Sequence, residues 1–324
     1  MLWLVKRIRA YWFTPTDCVD LAVCRIVFYG ALLIFYFRSD YSWYAEIPDI
    51  FWHPPGLLKC FSLSVASPGY LGAFPWIWKA SLLLAALGVA TRLSTWIAFL
   101  LGGYLIGVTH CFGLTCHYDA MHVLLMGVMA LSRCGDAISV DSMLRQRVFR
   151  RPQRLEIPVS PEYRWPICLA CVLMAIMYFN AGFAKLRVSG FHWFTSDYLA
   201  HLLVWHQYQD PPTTWGLYLA RMPLLCNILA FGSVVIELSV PLALVSRRWR
   251  LFLLPAAYCL HVAIYLLIGP QFLRLIICYV FWIPWKYILS AIVNAGSVSD
   301  CPPSGAGLEV APLTLARSAS EPLH

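Results

Sequence analysis

The chain has 324 residues, 60% of them hydrophobic and 12% charged, with a formal net charge of +8 and a mean hydropathy of +0.67. A soluble domain carries charge on about a quarter of its residues, and even a large core needs a charged surface, so this composition excludes a soluble fold and makes lipid the solvent for much of the surface. The positive balance fits membrane topology and contact with anionic lipid, not a nucleic-acid footprint.

A helix needs about 20 mostly apolar residues to cross the hydrocarbon. Runs of roughly that length lie at 19–37, 76–90, 95–111, 119–131, 165–184, 224–245, 251–268 and 272–289. They predict an all-α fold, a polytopic membrane helical bundle of about eight transmembrane helices. The second and fourth runs are short, and a seven-span alternative makes one run re-entrant.

In chain order, Lys6, Arg7 and Arg9 precede the first run and imitate a signal peptide. Arg25 interrupts the run and no small-residue cleavage site follows, so it reads as a retained span with a cytosolic N-terminus. The loop 38–75 is rich in Trp, Tyr, Phe and Pro, which suits the headgroup level. His117, Asp119 and His122 fall at the outer end of the fourth run, with Asp119 and His122 on one helix face. Two imidazoles and a carboxylate can bind a metal. Hydrogen bonding without one is the simpler reading, and no metal site is assigned.

The segment 132–164 is the main inner loop, and its arginines at 145–154 suit a basic interfacial helix. Cys168 and Cys171 form a C-x-x-C pair at the inner end of the fifth run, where a packing role outweighs a redox one. Most of the twelve cysteines sit in apolar runs; Cys60, Cys111 and Cys116 fall outside and allow one disulfide. The fifth run ends in Tyr178-Phe179-Asn180-Ala181-Gly182-Phe183-Ala184-Lys185. Lys185 either snorkels to the headgroups or serves as a base, because a lysine in a poorly hydrated site can be a free amine near neutrality. Ala181 and Gly182 let a neighbouring helix or ligand come close.

The outer loop 185–223 carries more aromatics and prolines, and Glu237 and His261 follow within the sixth and seventh runs. A lipid-facing carboxylate costs about 2.5–3.5 kcal/mol on insertion scales, so Glu237 is expected inside the bundle, paired with Arg25 or His261. Residues 293–324 turn to Ser, Gly, Pro and Ala and read as a disordered tail, leaving 1–292 as the membrane domain. With the N-terminus inside, 16 of the 24 lysines and arginines lie on the cytosolic side, the excess that cytoplasmic loops carry. No phosphate-binding Gly loop, G-x-S-x-G, H-E-x-x-H or clustered histidine box occurs.

Several local patterns together resemble the horizontally transferred transmembrane (HTTM) domain family, which includes the vitamin K-dependent gamma-carboxylases. Ala181-Gly182-Phe183-Ala184-Lys185-Leu186 followed by Trp193 is similar to the family's A-G-x-x-K-L segment. His122-Val123-Leu124-Leu125-Met126-Gly127 is similar to its H-x-x-L-x-G segment. Glu237-Leu238-Ser239, His261 with Ile268-Gly269, and Arg25 followed by Phe51-Trp52-His53-Pro54-Pro55-Gly56 also fit. The patterns keep the family's order over roughly residues 14 to 290.

The resemblance implies an integral, multi-pass membrane protein that uses reduced vitamin K or another lipophilic quinol at the outer leaflet. Lys185 would be the base and His122 would assist near the quinone oxygens. Arg25, His117, Asp119, Asn180, Trp193, Glu237 and His261 would line the cofactor site. The quinol anion, after reaction with oxygen, would take a proton from a glutamate of a peptide or protein substrate, and carbon dioxide would add. Two departures bear on this. The sequence carries no luminal substrate domain after the spans, and Ala184 stands where the carboxylases often have a second lysine. The alternatives are a non-catalytic accessory protein for peptide or protein maturation and a transporter; against the transporter, no inverted repeat is visible.

Overall fold

In the computed structural model the described residues are 2–54, 56–112, 117–148, 158–209, 211–269 and 272–298. Helix α1 (Leu2–Phe13) carries Lys6, Arg7 and Arg9 on an exposed surface. Helix α2 (Val19–Tyr36) follows, and α3 (Gly56–Cys60) lies in the loop beyond it. Helix α4 (Pro68–Leu87) starts with proline at its first turn, where a missing N–H costs nothing. It stops at Gly88, whose φ of 72° is the left-handed conformation glycine adopts freely. A Cβ there would come 2.4 Å from Ser139 Cβ and 2.5 Å from Arg25 Nη1, so glycine serves both the turn and the approach of the next loop.

After this tight turn α5 (Thr91–His110) runs back beside α4. Trp78 Nε1 donates to the Ala98 carbonyl at 3.0 Å, and Gly102 leaves room for the indole, which a Cβ would approach to 2.6 Å. The N-terminus of α5 is capped from a distance. Asp141, on α7 (Val140–Val148), accepts from Ala90 N at 2.8 Å and Thr91 N at 2.6 Å. Helix α6 (His117–Leu131) lies between them in sequence. Helix α8 (Arg164–Ser189) is the longest. At its start Thr16–Asp17 pairs antiparallel with Val159–Ser160, and Arg164 Nε donates to the Tyr11 carbonyl at 2.6 Å. These contacts gather the end of α1, residues 159–160 and the start of α8 at one end of the bundle.

The short helices α9 (His192–Thr195), α10 (Tyr198–His206) and α11 (Trp215–Ala220) build the loop after α8. Helix α12 (Pro223–Ser239) packs against α8. The chain then breaks at Val240–Pro241 before α13 (Leu242–Val245) and α14 (Arg247–Ile268). Phe272–Trp282 is a 3-10 helix packed against α2, α8 and α14. From Lys286 onward the chain belongs to a second compact unit, in which the rest of α15 (Trp285–Val298) exposes Tyr287 and Ile292.

Five helices among the described residues are long and apolar enough to cross a membrane, or up to six if Phe272–Trp282 and Trp285–Ile292 count as one span. Tyr118–Leu131 and Pro223–Ser239 are shorter apolar helices. The core holds Trp78, Phe28, Tyr29 and Tyr178, while Ile34, Leu100, Leu224 and Val188 face outward. An apolar outer face on long apolar helices is the mark of a multi-pass membrane protein.

Eight spans are not established, because two apolar runs form helices below spanning length. The sixth and eighth runs are each interrupted, at Pro241 and at Pro284, since proline removes a helical N–H and restricts its predecessor. Helix α15 runs to Val298; residues 299–324 lie outside the described residues.

Candidate functional site

Helix α8 places Tyr178, Ala181 and Lys185 along one face, spaced three and four residues apart. Across from it, Ser233 and Glu237 share a face of α12. The two helices approach at Gly182, where a Cβ would meet Glu237 Cβ at 3.0 Å and the Leu238 backbone N at 3.2 Å. That proximity brings Lys185 Nζ to 2.6 Å from both carboxylate oxygens of Glu237. Glu237 is almost fully enclosed (side chain 5% exposed) and Lys185 largely so (19%). The ammonium also lies 5.3 Å from the centre of the Trp193 ring, a cation–π distance.

Glu237 is therefore inside the bundle and paired, as expected, but its partner is Lys185, not Arg25 or His261. Arg25 lies elsewhere, fully buried, donating to the carbonyls of Cys134 at 3.2 Å and Ile138 at 2.5 Å. Its role there is to fasten the loop after α6 to α2. His261 on α14 sits with Nδ1 2.8 Å from Tyr178 Oη, which in turn lies 2.7 Å from Tyr279 Oη.

The ion pair, Tyr178, His261 and Trp193 line a cavity of about 380 Å³. Its remaining wall is mostly aliphatic, from Leu199, Leu203, Leu229, Ile264 and Leu267 among others, with Phe272 at one side. Apolar cavities of this size with a few convergent polar groups are the usual form of small-molecule sites. Asn180 is on the exposed face of α8 and does not line the cavity.

His122 does not line it either. It is fully buried in a separate network. Its Nε2 lies 3.2 Å from the Arg274 carbonyl. Its Nδ1 lies 2.9 Å from Tyr36 Oη, and that hydroxyl donates to Asp119. Asp119 is also 3.3 Å from His110 Nε2. Lys185 and His122 were expected to share one pocket and do not, because tyrosine and backbone partners close the space around the imidazole. His117 begins α6, and its side chain lies outside the described residues. Among the described residues no group of three His, Cys, Asp or Glu stands in a metal-binding arrangement.

The C-x-x-C cysteines are free thiols directed at separate carbonyls, Cys168 at Tyr11 (3.3 Å) and Cys171 at Phe281 (3.4 Å). Cys60 and Cys111 are also free, and Cys116 lies outside the described residues. A wider cleft of about 940 Å³ opens near Arg92, Arg133 and Arg145. Two of its three arginines are already matched: Arg133 pairs with Asp136 at 2.8 Å and Glu162 at 2.9 Å, and Arg145 lies 3.6 Å from Asp136. It reads as a structural network, so the smaller, drier cavity is the candidate site.

Sequence reasoning missed Tyr178, Ser233, Tyr36 and Phe272. Helical spacing from Lys185 and Glu237 marks the first two; Tyr36 and Phe272 are joined to the polar residues only by tertiary packing. No family model, curated protein or solved structure matches this chain.

Proposed function

We propose that this chain is a multi-pass membrane protein whose Lys185–Glu237 cavity binds a lipophilic quinol at the outer leaflet and deprotonates it, in the manner of the carboxylase-like membrane domains it resembles. The observation that carries the reading is the ion pair in the wall of an otherwise mostly apolar cavity. Ionisable residues at membrane depth are costly and functional by default, and this pair faces a cavity large enough for a ligand. A proton passed across the 2.6 Å contact from Lys185 to Glu237 leaves the free amine that a base requires. In this reading the two shorter apolar helices and the interrupted final segment also span, giving eight crossings with the N-terminus and the 132–164 loop in the cytosol.

A second reading, a non-catalytic accessory protein for peptide or protein maturation, gains from one observation. His122, the residue expected to assist at the quinone oxygens, is fully buried and hydrogen-bonded away from the cavity. The two readings separate in an assay of purified protein supplied with a reduced naphthoquinone and oxygen, following conversion to the epoxide. Turnover is expected in the wild type and loss of it in Lys185→Ala. Lys185→Arg is expected to fail as well, since guanidinium keeps its proton. Full activity in Lys185→Arg excludes the lysine as base; no turnover in a well-folded wild type favours the accessory reading.

A further inference from the structure

The Lys185–Glu237 pair also states what charge the ligand must have. The cavity wall presents one ammonium and one carboxylate in contact, both oxygens of Glu237 lying 2.6 Å from Nζ. The pair is neutral as a unit wherever its proton rests. Around it the lining is aliphatic and aromatic, with Ser233, Tyr178, His206, His261 and the buried Trp193 indole N–H the remaining polar groups. No other Lys, Arg, Asp or Glu lines this cavity among the described residues.

A ligand bearing a full negative charge would gain from Lys185 but sit against the Glu237 carboxylate, and its own charge would be desolvated without a free counter-ion. A cation would meet the reverse problem. A hydroxyl fits both partners, because it donates one hydrogen bond and accepts others. It can donate to a Glu237 oxygen while accepting from Nζ, with no net charge brought into the apolar cavity. Either proton placement within the pair still offers one donor and one acceptor.

We propose that Glu237 acts as a charge filter, making this cavity selective for uncharged, hydroxyl-bearing amphiphiles and excluding carboxylate-bearing ones such as fatty acids. The inference rests on the reading of the cavity as a lipophilic-ligand site, and it adds the basis on which that site chooses. The hydroxyl engages the ion pair and the hydrocarbon body lies along Leu199, Leu203, Ile264 and Leu267. Glu237 is here a specificity-determining residue: without it, Lys185 is an unpaired cation and the preference turns toward anions.

Native mass spectrometry of the full chain released from detergent, at pH 8, tests this with two matched probes, 4-nonylphenol and 4-nonylbenzoate. The wild type is expected to bind one nonylphenol at least tenfold more tightly than nonylbenzoate. Ala263→Trp, which fills the cavity, is expected to lose that binding, locating it. Glu237→Gln is expected to reverse the preference. Should Glu237→Gln not fold, the wild-type ratio alone decides. Equal binding of the two probes by the wild type, or preference for the benzoate, overturns the charge filter while leaving the cavity as a ligand site. Binding of neither probe overturns both.

Discussion

At the scale of single residues, the identity of Glu237's partner governs the site. Its enclosure demanded a partner, and that demand was legible from one carboxylate in an apolar run. Which residue would answer was not, because Arg25, His261 and Lys185 all lie in or beside spans and only helix packing decides among them. The deciding residue is Gly182, whose missing side chain lets α8 and α12 close until Lys185 reaches Glu237. Removing one member leaves the other charge buried alone, a loss of about 3–5 kcal/mol, whereas replacing both can be close to neutral. Thermal unfolding in detergent should therefore show Lys185→Met strongly destabilised and Lys185→Met with Glu237→Leu largely restored. Additive losses in the double variant would mean that the contact contributes nothing. The placement of His122 apart from Lys185 follows the same logic: its motif was visible, but Tyr36 and the Arg274 carbonyl, which enclose it, come from distant parts of the chain.

At the scale of elements, most helices were visible as apolar runs, and their ends were less so. Pro68 and Gly88 mark the bounds of α4, yet the run appeared to start at Trp76 because Gly69, Tyr70 and Gly72 dilute its beginning. The cap of α5 could not be read locally at all, since Asp141 lies fifty residues downstream of Thr91. Burial raises the Asp141 carboxyl, but the Thr91 and Ala90 N–H groups outweigh it and hold the group below the usual carboxylate range. A depressed value in the folded state means that the stabilisation is fully present above the unfolded value of about 3.9 and is lost as pH falls through the folded one. Asp141→Ala should cost about 1 kcal/mol near neutrality, as loss of a helix cap does. The gap in melting temperature between wild type and Asp141→Ala should hold from pH 7 to about 5 and shrink toward pH 3. A gap that persists unchanged at pH 3 would refute the carboxylate's role.

At the scale of the whole molecule, composition alone excluded a soluble fold, and the long apolar helices with outward-facing Ile34, Leu100 and Val188 agree with that. The number of crossings was less legible, because prolines 241 and 284 interrupt runs that hydropathy alone reads as continuous. The strand pair Thr16–Asp17 with Val159–Ser160 and the Arg133–Glu162 ion pair bring the N-terminal region, the end of α6 and the start of α8 together at one end. Single-cysteine labelling from outside intact cells, in a background without accessible native cysteines, should modify a cysteine at Thr213 and spare one at Arg147. The opposite pattern would invert the topology.

The account turns on what occupies the cavity beside Lys185 and Glu237. A density map of the protein reconstituted with a reduced naphthoquinone under anaerobic conditions tests this most directly. Quinol density is expected inside the cavity, with a hydroxyl within hydrogen-bond distance of Lys185 Nζ and Glu237 and the hydrocarbon tail along Leu203 and Ile264. A well-resolved Lys185–Glu237 pair with an empty cavity, or a quinol bound only on the lipid-facing surface, would contradict it.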